Sequence, residues 1–271
     1  MPTICVLSNN PDNLKASIPS VSGEGIKILI AYSGKNLRRE WDNRLPSYPG
    51  SADVRYYSQY SPFGFAREMN KLIRHSAPSD VILLNDDAIL KTPGGFSVLS
   101  RLAWENPEYG VLSAAVTGVV KRDQNPHHVH EDDVEGEPFL NKQQPCEMCE
   151  EGFPPISLPF VRDSKDRALS FICVYIRREI MERVGLLDER FKPGTYGFDD
   201  NDYCERVQQA GWKLGIVDSV VVEHNVSLPS SFQSLNNRDI STGLSVFRYI
   251  WGDEITKLHW AKFQSPTTNH L

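Results

Sequence analysis

The stretch Val81-Ile82-Leu83-Leu84-Asn85-Asp86-Asp87 runs four apolar residues straight into an amide and two carboxylates. An unbroken apolar run of this length, closed by polar residues, is the pattern of a strand buried on both faces. Such a strand delivers its terminal acidic groups to the rim of a sheet. Adjacent carboxylates there are what a hard divalent cation needs if it is shared with a phosphorylated substrate. Acidic residues also close ordinary turns, so the neighbours of this run decide its meaning.

Upstream, residues 3–7 read as a first strand with Ser8-Asn9-Asn10-Pro11 as its turn. Residues 26–31 form a second apolar run ending at Tyr32-Ser33-Gly34, and residues 54–57 a weaker third. From Gly64 to Ile73 the spacing is helical, with Phe65, Met69, Leu72 and Ile73 on one side, and it stops near Ser76-Ala77-Pro78. Strand, helix and strand in this order predict an α/β fold with a mostly parallel sheet flanked by helices. Ligands of such sheets lie beyond the C-terminal strand ends, which groups Ser8-Asn9, Ser33-Gly34 and Asn85-Asp86-Asp87 on one rim.

Downstream, residues 96–104 read as a helix and 110–120 as a strand. Residues 121–165 have little periodicity, many prolines and the acidic cluster Glu131-Asp132-Asp133, and are expected to form an insertion or lid over the site. Order resumes with an apolar strand over 168–176, a short helix over 177–184, a helix over 200–210 stopped by Gly211, and a last strand over 213–222 that leads to Glu223-His224. The expected organisation is one domain over 1–229 followed by a C-terminal extension, 230–271, whose middle (240–251) packs back on the body as a helix.

At 271 residues and 40% hydrophobic content the chain can bury a sizeable core. Its net charge of −6 and pI near 5.7 argue against a general nucleic-acid binder. No apolar run is long enough to cross a bilayer, so any membrane contact would be peripheral, and MPTICVLSNN has no basic leader. Cys5, Cys173 and Cys204 read as small buried hydrophobes, and five cysteines in all give no even disulfide framework. A cytoplasmic location is the expectation. Cys146 and Cys149 make one CxxC, downstream of His127, His128 and His130, but zinc sites usually present a second spaced pair.

A second acidic concentration stands at Gly197-Phe198-Asp199-Asp200-Asn201-Asp202. Three carboxylates in four residues repel one another unless solvent, a cation or helix N-terminal amides share the charge. Capping accounts for one or two of them and does not need all three. The two clusters suggest a division of labour: Asn85-Asp86-Asp87 would hold a divalent ion against a diphosphate, and one of Asp199 and Asp200 would act as general base toward an attacking hydroxyl.

These stretches resemble the inverting family 2 glycosyltransferases with the nucleotide-sugar-binding GT-A fold, and among them the rhamnosyltransferase-like members. The likeness is carried by Ser8-Asn9, by Gly64-Phe65-Ala66 with Asn70, by Leu84-Asn85-Asp86-Asp87, by the middle segments 173–179 and 184–191, and by Asp199-Asp200-Asn201-Asp202 with Arg206 and Gly211. It implies a metal-dependent transferase that takes a sugar from a nucleoside diphosphate donor to a glycan or other glycoconjugate hydroxyl, as in polysaccharide biosynthesis. Asp87 would then ligate Mn2+ or Mg2+ as the last acid of a DxD-type motif, with His224 as a further metal or diphosphate contact. Ser8, Asn9, Ser33, Asn70, Asn85 and Asp86 would lie about the nucleotide, and Asp53 and Arg67 are further pocket candidates. Asp200 would be the base beside Asp199, which stands where the family usually has glutamate, and Trp212 or Tyr196 would stack on sugar.

Three other readings compete, of which glycosylation of modified DNA bases is disfavoured by the acidic bulk of the chain. A nucleotidyltransferase on the same scaffold would need a Gly-rich basic loop near the N-terminus, and residues 8–22 lack one. A catalytically silent glycan- or protein-binding module would have no use for intact carboxylates at both clusters.

Overall fold

The computed structural model describes residues 1–22, 25–32, 53–59, 63–118, 124, 160–192, 197–224 and 237–260. In chain order the elements are β1 (Thr3–Ser8), α1 (Pro11–Ser22), β2 (Lys27–Tyr32), β3 (Val54–Ser58), α2 (Phe65–Ser76), β4 (Val81–Asn85) and β5 (Ala88–Leu90). There follow α3 (Gly95–Glu105), β6 (Tyr109–Gly118), β7 (Arg162–Asp163), β8 (Cys173–Ile176), α4 (Arg178–Val184), α5 (Asp199–Gln209), β9 (Lys213–His224) and α6 (Asn237–Trp260).

The strands form one mixed sheet in the order β3-β2-β1-β4-β8-β6-β9-β5, with β7 on β9. Its first half is parallel, since β1 pairs with β2 and β4, and β2 with β3. Strand β8 then enters antiparallel to both β4 and β6, and β6 runs parallel to β9. Because side chains alternate across a strand, each strand feeds two cores. Ile4, Val6, Ile28, Ile30, Ile82 and Leu84 face α1 and α3, packing with Leu14, Ile18, Phe96 and Leu99. Cys5, Leu7, Leu29, Leu83 and Val174 face the other way, onto Met69 and Leu72 of α2, Ile180 of α4 and Tyr203 and Val207 of α5. Burial on both faces explains why the Val81 run shows no polar alternation.

Helix α1 falls where the sequence reading had only a turn. Asn10 accepts a hydrogen bond from the Asp12 amide through Oδ1 at 3.0 Å, and Pro11 opens the helix. This is an N-cap followed by proline, the ordinary start signal. The apolar run 168–176 yields a strand only over Cys173–Ile176. Residues before it are tied elsewhere: Leu169 donates its amide to Cys204 Sγ and Ser170 to Gln124 Oε1. The last strand is longer than expected and reaches His224. Cys5, Cys173 and Cys204 are buried free thiols.

The C-terminal helix α6 extends well past the expected 240–251. It is broken at Gly252, whose φ of 74° and ψ of 177° lie in a region essentially restricted to glycine. Phe247 of this helix is fully buried against Phe191 and Phe198. Most of residues 121–165, with Cys146, Cys149 and the three histidines, lie outside the described residues, as do Ser33, Gly34 and Tyr196.

Candidate active site

Strands β1, β2 and β4 are in register and parallel, so Ser8, Tyr32 and Asn85 finish at one rim of the sheet. The chain turns through Asp86 and Asp87, both nearly buried, and re-enters the sheet as β5. Ser8 donates its hydroxyl to Asp86 Oδ2 at 2.6 Å, a short charge-assisted bond, and accepts the Asn10 amide at 3.0 Å. Asp86 thereby locks the β4 turn to the end of β1. Asn9 beside it is exposed and Asn85 is half-buried.

Asp87 is held differently. Ala88 pairs with His224 at the end of β9, which brings His224 Nε2 to 3.3 Å from Asp87 Oδ1. The approach is close enough for an ion pair, yet Asp87 Oδ1 is a buried oxygen with no hydrogen bond among the described residues. A buried carboxylate oxygen without a donor is costly, and an imidazole nitrogen beside it is a second Lewis base. This donor set suits a divalent cation with mixed oxygen and nitrogen ligands.

Gln59, which the sequence reading passed over, spans two strand ends at this rim. Its Nε2 donates to the Ser8 carbonyl at 3.1 Å and to the Ala31 carbonyl at 2.7 Å. Its position just after a weak third strand was the available signal. Asn70 is engaged with the backbone: its side-chain amide donates to the Leu187 carbonyl at 2.8 Å and accepts the Leu187 amide at 3.0 Å. It joins α2 to the segment after α4. Asp53 pairs with Arg55 on the surface, Arg67 with Glu68, and Trp212 packs its ring against Gly110.

The second cluster opens α5. Gly197 and Phe198 both have positive φ, 71° and 68°, the latter unusual for a bulky residue. This bend sets Asp199, Asp200 and Asp202 in the first helical turn. Burial first, then the adjacent Asp200 carboxylate, pushes the Asp199 carboxyl up to about 7, against the pull of backbone amides. Asp200 Oδ1 accepts the Asn201 amide at 2.8 Å. Asp202 is buried and committed elsewhere, accepting Trp251 Nε1 at 2.9 Å and pairing with Arg206 at 2.9 Å. Asp199 and Asp200 are only half-buried, so of the three carboxylates they are the ones with surface. Helix α5 packs on β9 and joins it through the tight turn at 210–212, so it runs back along the strand.

Three solved structures share this architecture. GalNAc-T7, crystallised with UDP, GalNAc and Mn2+, superposes with a TM-score of 0.64 at 14% identity, covering 96% of this chain and 50% of that one. The chain thus spans half the length of that protein. The mannosyltransferase PcManGT from Pyrobaculum calidifontis, in complex with GDP-Man and Mn2+, gives 0.64 at 14% identity over 97% of this chain and 70% of its own. TarS 1-349 of S. aureus gives 0.55 at 10% identity, over 100% and 76%. At such identities the likeness establishes the fold, a GT-A-like α/β architecture. No curated protein matches the chain. The family model described as "Glycosyltransferase like family 2" matches residues 46–239, which contain the β4 turn, His224 and the whole of α5. With the greater part of its length so matched, the chain belongs to glycosyltransferase-like family 2.

Proposed function

We propose that the protein is a metal-dependent, inverting glycosyltransferase that moves a sugar from a nucleoside diphosphate donor to an acceptor hydroxyl. Asp87 and His224 hold Mn2+ or Mg2+, and Asp200 is the general base. The observation that carries this reading is the buried Asp87 Oδ1, free of hydrogen bonds among the described residues and 3.3 Å from His224 Nε2, at the rim where β1, β2 and β4 end. The Mn2+, UDP and GDP-Man bound in two proteins of the same fold agree with it.

Ser8, Asn9 and Asn85 contact the donor nucleotide at this rim, and Asp86 keeps the turn in place through Ser8. When bound, the divalent ion supplies charge stabilisation to the departing diphosphate. Inversion needs the acceptor oxygen to attack the anomeric carbon from the side opposite the leaving phosphate. As that bond forms and the carbon–phosphate oxygen bond breaks, the hydroxyl becomes acidic and Asp200 takes its proton. Asp199, whose carboxyl is pushed up to about 7, shares its proton near neutrality, limits the charge beside Asp200 and in its protonated form can donate to the acceptor. The rhamnosyltransferase-like spacing of the motifs makes a deoxythymidine diphosphate deoxysugar one donor worth including beside UDP- and GDP-sugars.

The test is Asp200→Asn, assayed for transfer from a panel of UDP-, GDP- and deoxythymidine diphosphate sugars with Mn2+. Loss of about two to four orders of magnitude in kcat, with donor affinity retained, is expected for removal of a general base. Transfer at the wild-type rate by this variant would overturn the assignment.

A further inference from the structure

The first turn of α5 is an improbable structure to leave unsupported. It begins with a left-handed phenylalanine and crowds three carboxylates, and such strain persists only where the surroundings over-determine it. The support comes from the far end of the chain. His259, on the last turn of α6 and 5% exposed, contacts Glu205 through Nε2 at 2.9 Å and the Asn201 side-chain amide through Nδ1 at 2.9 Å. Glu205 is fully buried; burial alone would raise its carboxyl, but hydrogen bonds from His259, Arg167 and Gln209 outweigh it and bring it down to about 2. An ionised carboxylate can only accept, so Nε2 is the donor. In that tautomer Nδ1 is an acceptor, which fixes Asn201 Nδ2 as the donor to it.

The same ring is held on its edge. Phe247 packs against His259 with centroids 4.9 Å apart, and against Phe198 at 5.6 Å. His259 therefore reaches both sides of the acidic turn: Asn201, next to Asp200, by a hydrogen bond, and Phe198, next to Asp199, through one intervening ring. Gly252 makes this possible, because its non-helical backbone redirects the last part of α6. We propose that His259 is a positioning residue for the reaction, orienting the Asp199–Asp200 turn through Asn201 and Phe247, so that α6 is a working part of the active site. The proposal rests on the reading of Asp200 as base.

His259→Gln separates positioning from folding. Glutamine can still donate to Glu205 but offers no acceptor where Nδ1 stands. The full-length variant is examined in two ways. The first is kcat and KM for release of UDP or GDP from UDP-glucose, UDP-N-acetylgalactosamine and GDP-mannose with Mn2+. The second is carboxyl titration of Asp199 by NMR with carbon-13-labelled aspartate. The expected result is a melting temperature within a few degrees of wild type, a kcat lowered on the order of tenfold with KM for the donor unchanged, and an Asp199 midpoint lowered by about one unit as the turn loosens. A folded variant with wild-type kcat and an unmoved Asp199 midpoint overturns the proposal, as does a fall in kcat that simply follows a large fall in melting temperature. Parallel assay of Asp200→Asn separates the two claims. Full activity in that variant removes the base assignment, whereas the Asp199 titration reports the hold of His259 on the turn whichever carboxylate takes the proton.

Discussion

The acidic turn after β4 is held by the sheet it grows from, whereas the one that opens α5 is held by the C-terminal helix, whose His259 lies fifty-eight residues beyond Asn201. At the first, Ser8 and His224 are neighbours of Asp86 and Asp87 by strand register alone. At the second, Trp251, His259 and Phe247 converge from α6 on a backbone that would not hold its shape locally. The proposed metal site would tolerate little movement of its ligands, and the sheet supplies that rigidity. The proposed base, which must meet acceptors, would be served by a helix end whose position a separate element sets. The difference teaches that the two halves should fail in different ways when perturbed.

The largest structural effect should come from the hub beneath the second turn. Glu205→Gln leaves the buried His259 and the half-exposed Arg167 without their carboxylate. The expected loss, by urea unfolding near neutral pH, is toward the lower end of about 3–5 kcal/mol, because Arg167 is partly solvated. The sign with pH follows from the depressed carboxyl. Its contribution is present above the ordinary value of 4.5 and is lost as pH falls toward about 2, so wild type and variant should converge in acid.

A smaller effect is expected at the first turn. Ser8→Ala removes the hydroxyl from the buried Asp86 carboxylate and should cost about 1–3 kcal/mol in the same measurement. It should also weaken nucleoside diphosphate binding without altering the Asp199 titration. If Ser8→Ala moved the Asp199 midpoint as His259→Gln does, the two turns would be one mechanical unit and the contrast would fall.

The last effect has the opposite sign. A carboxyl raised above its unfolded value of 3.8 stabilises the fold below that value, and this contribution is lost as pH rises through about 7. Asp199→Asn should therefore be more stable than wild type above pH 7, with the gap closing as pH falls toward 4. A variant less stable than wild type at pH 8 would contradict the half-buried, charge-crowded placement of Asp199.

The two halves were also unequally legible. The Val81 run announced its strand because burial on both faces leaves an unbroken apolar stretch, and parallel register then carried Ser8 to Asp86. The three carboxylates at 199, 200 and 202 were visible as a cluster, but their separation into one committed, buried residue and two half-buried ones was not. That depends on Trp251 and Arg206, contacts of tertiary origin that no local spacing encodes. Asn70 shows the reverse case: a polar residue on the helix ahead of β4 reads as a ligand contact, and in the fold its amide bonds the Leu187 backbone. Helix α1 was hidden in plain view, behind an asparagine cap and a proline that signal a helix start as readily as a turn.

The central claim is that Asp87 couples a divalent ion to the donor diphosphate. Calorimetry of UDP and GDP binding, with and without Mn2+, measures that coupling directly in wild type and in Asp87→Ala. The account predicts that Mn2+ tightens diphosphate binding to the wild type by about ten- to a hundredfold and leaves the variant nearly unaffected, since loss of a ligand removes the ion from the site. Undiminished tightening by Mn2+ in Asp87→Ala would contradict it.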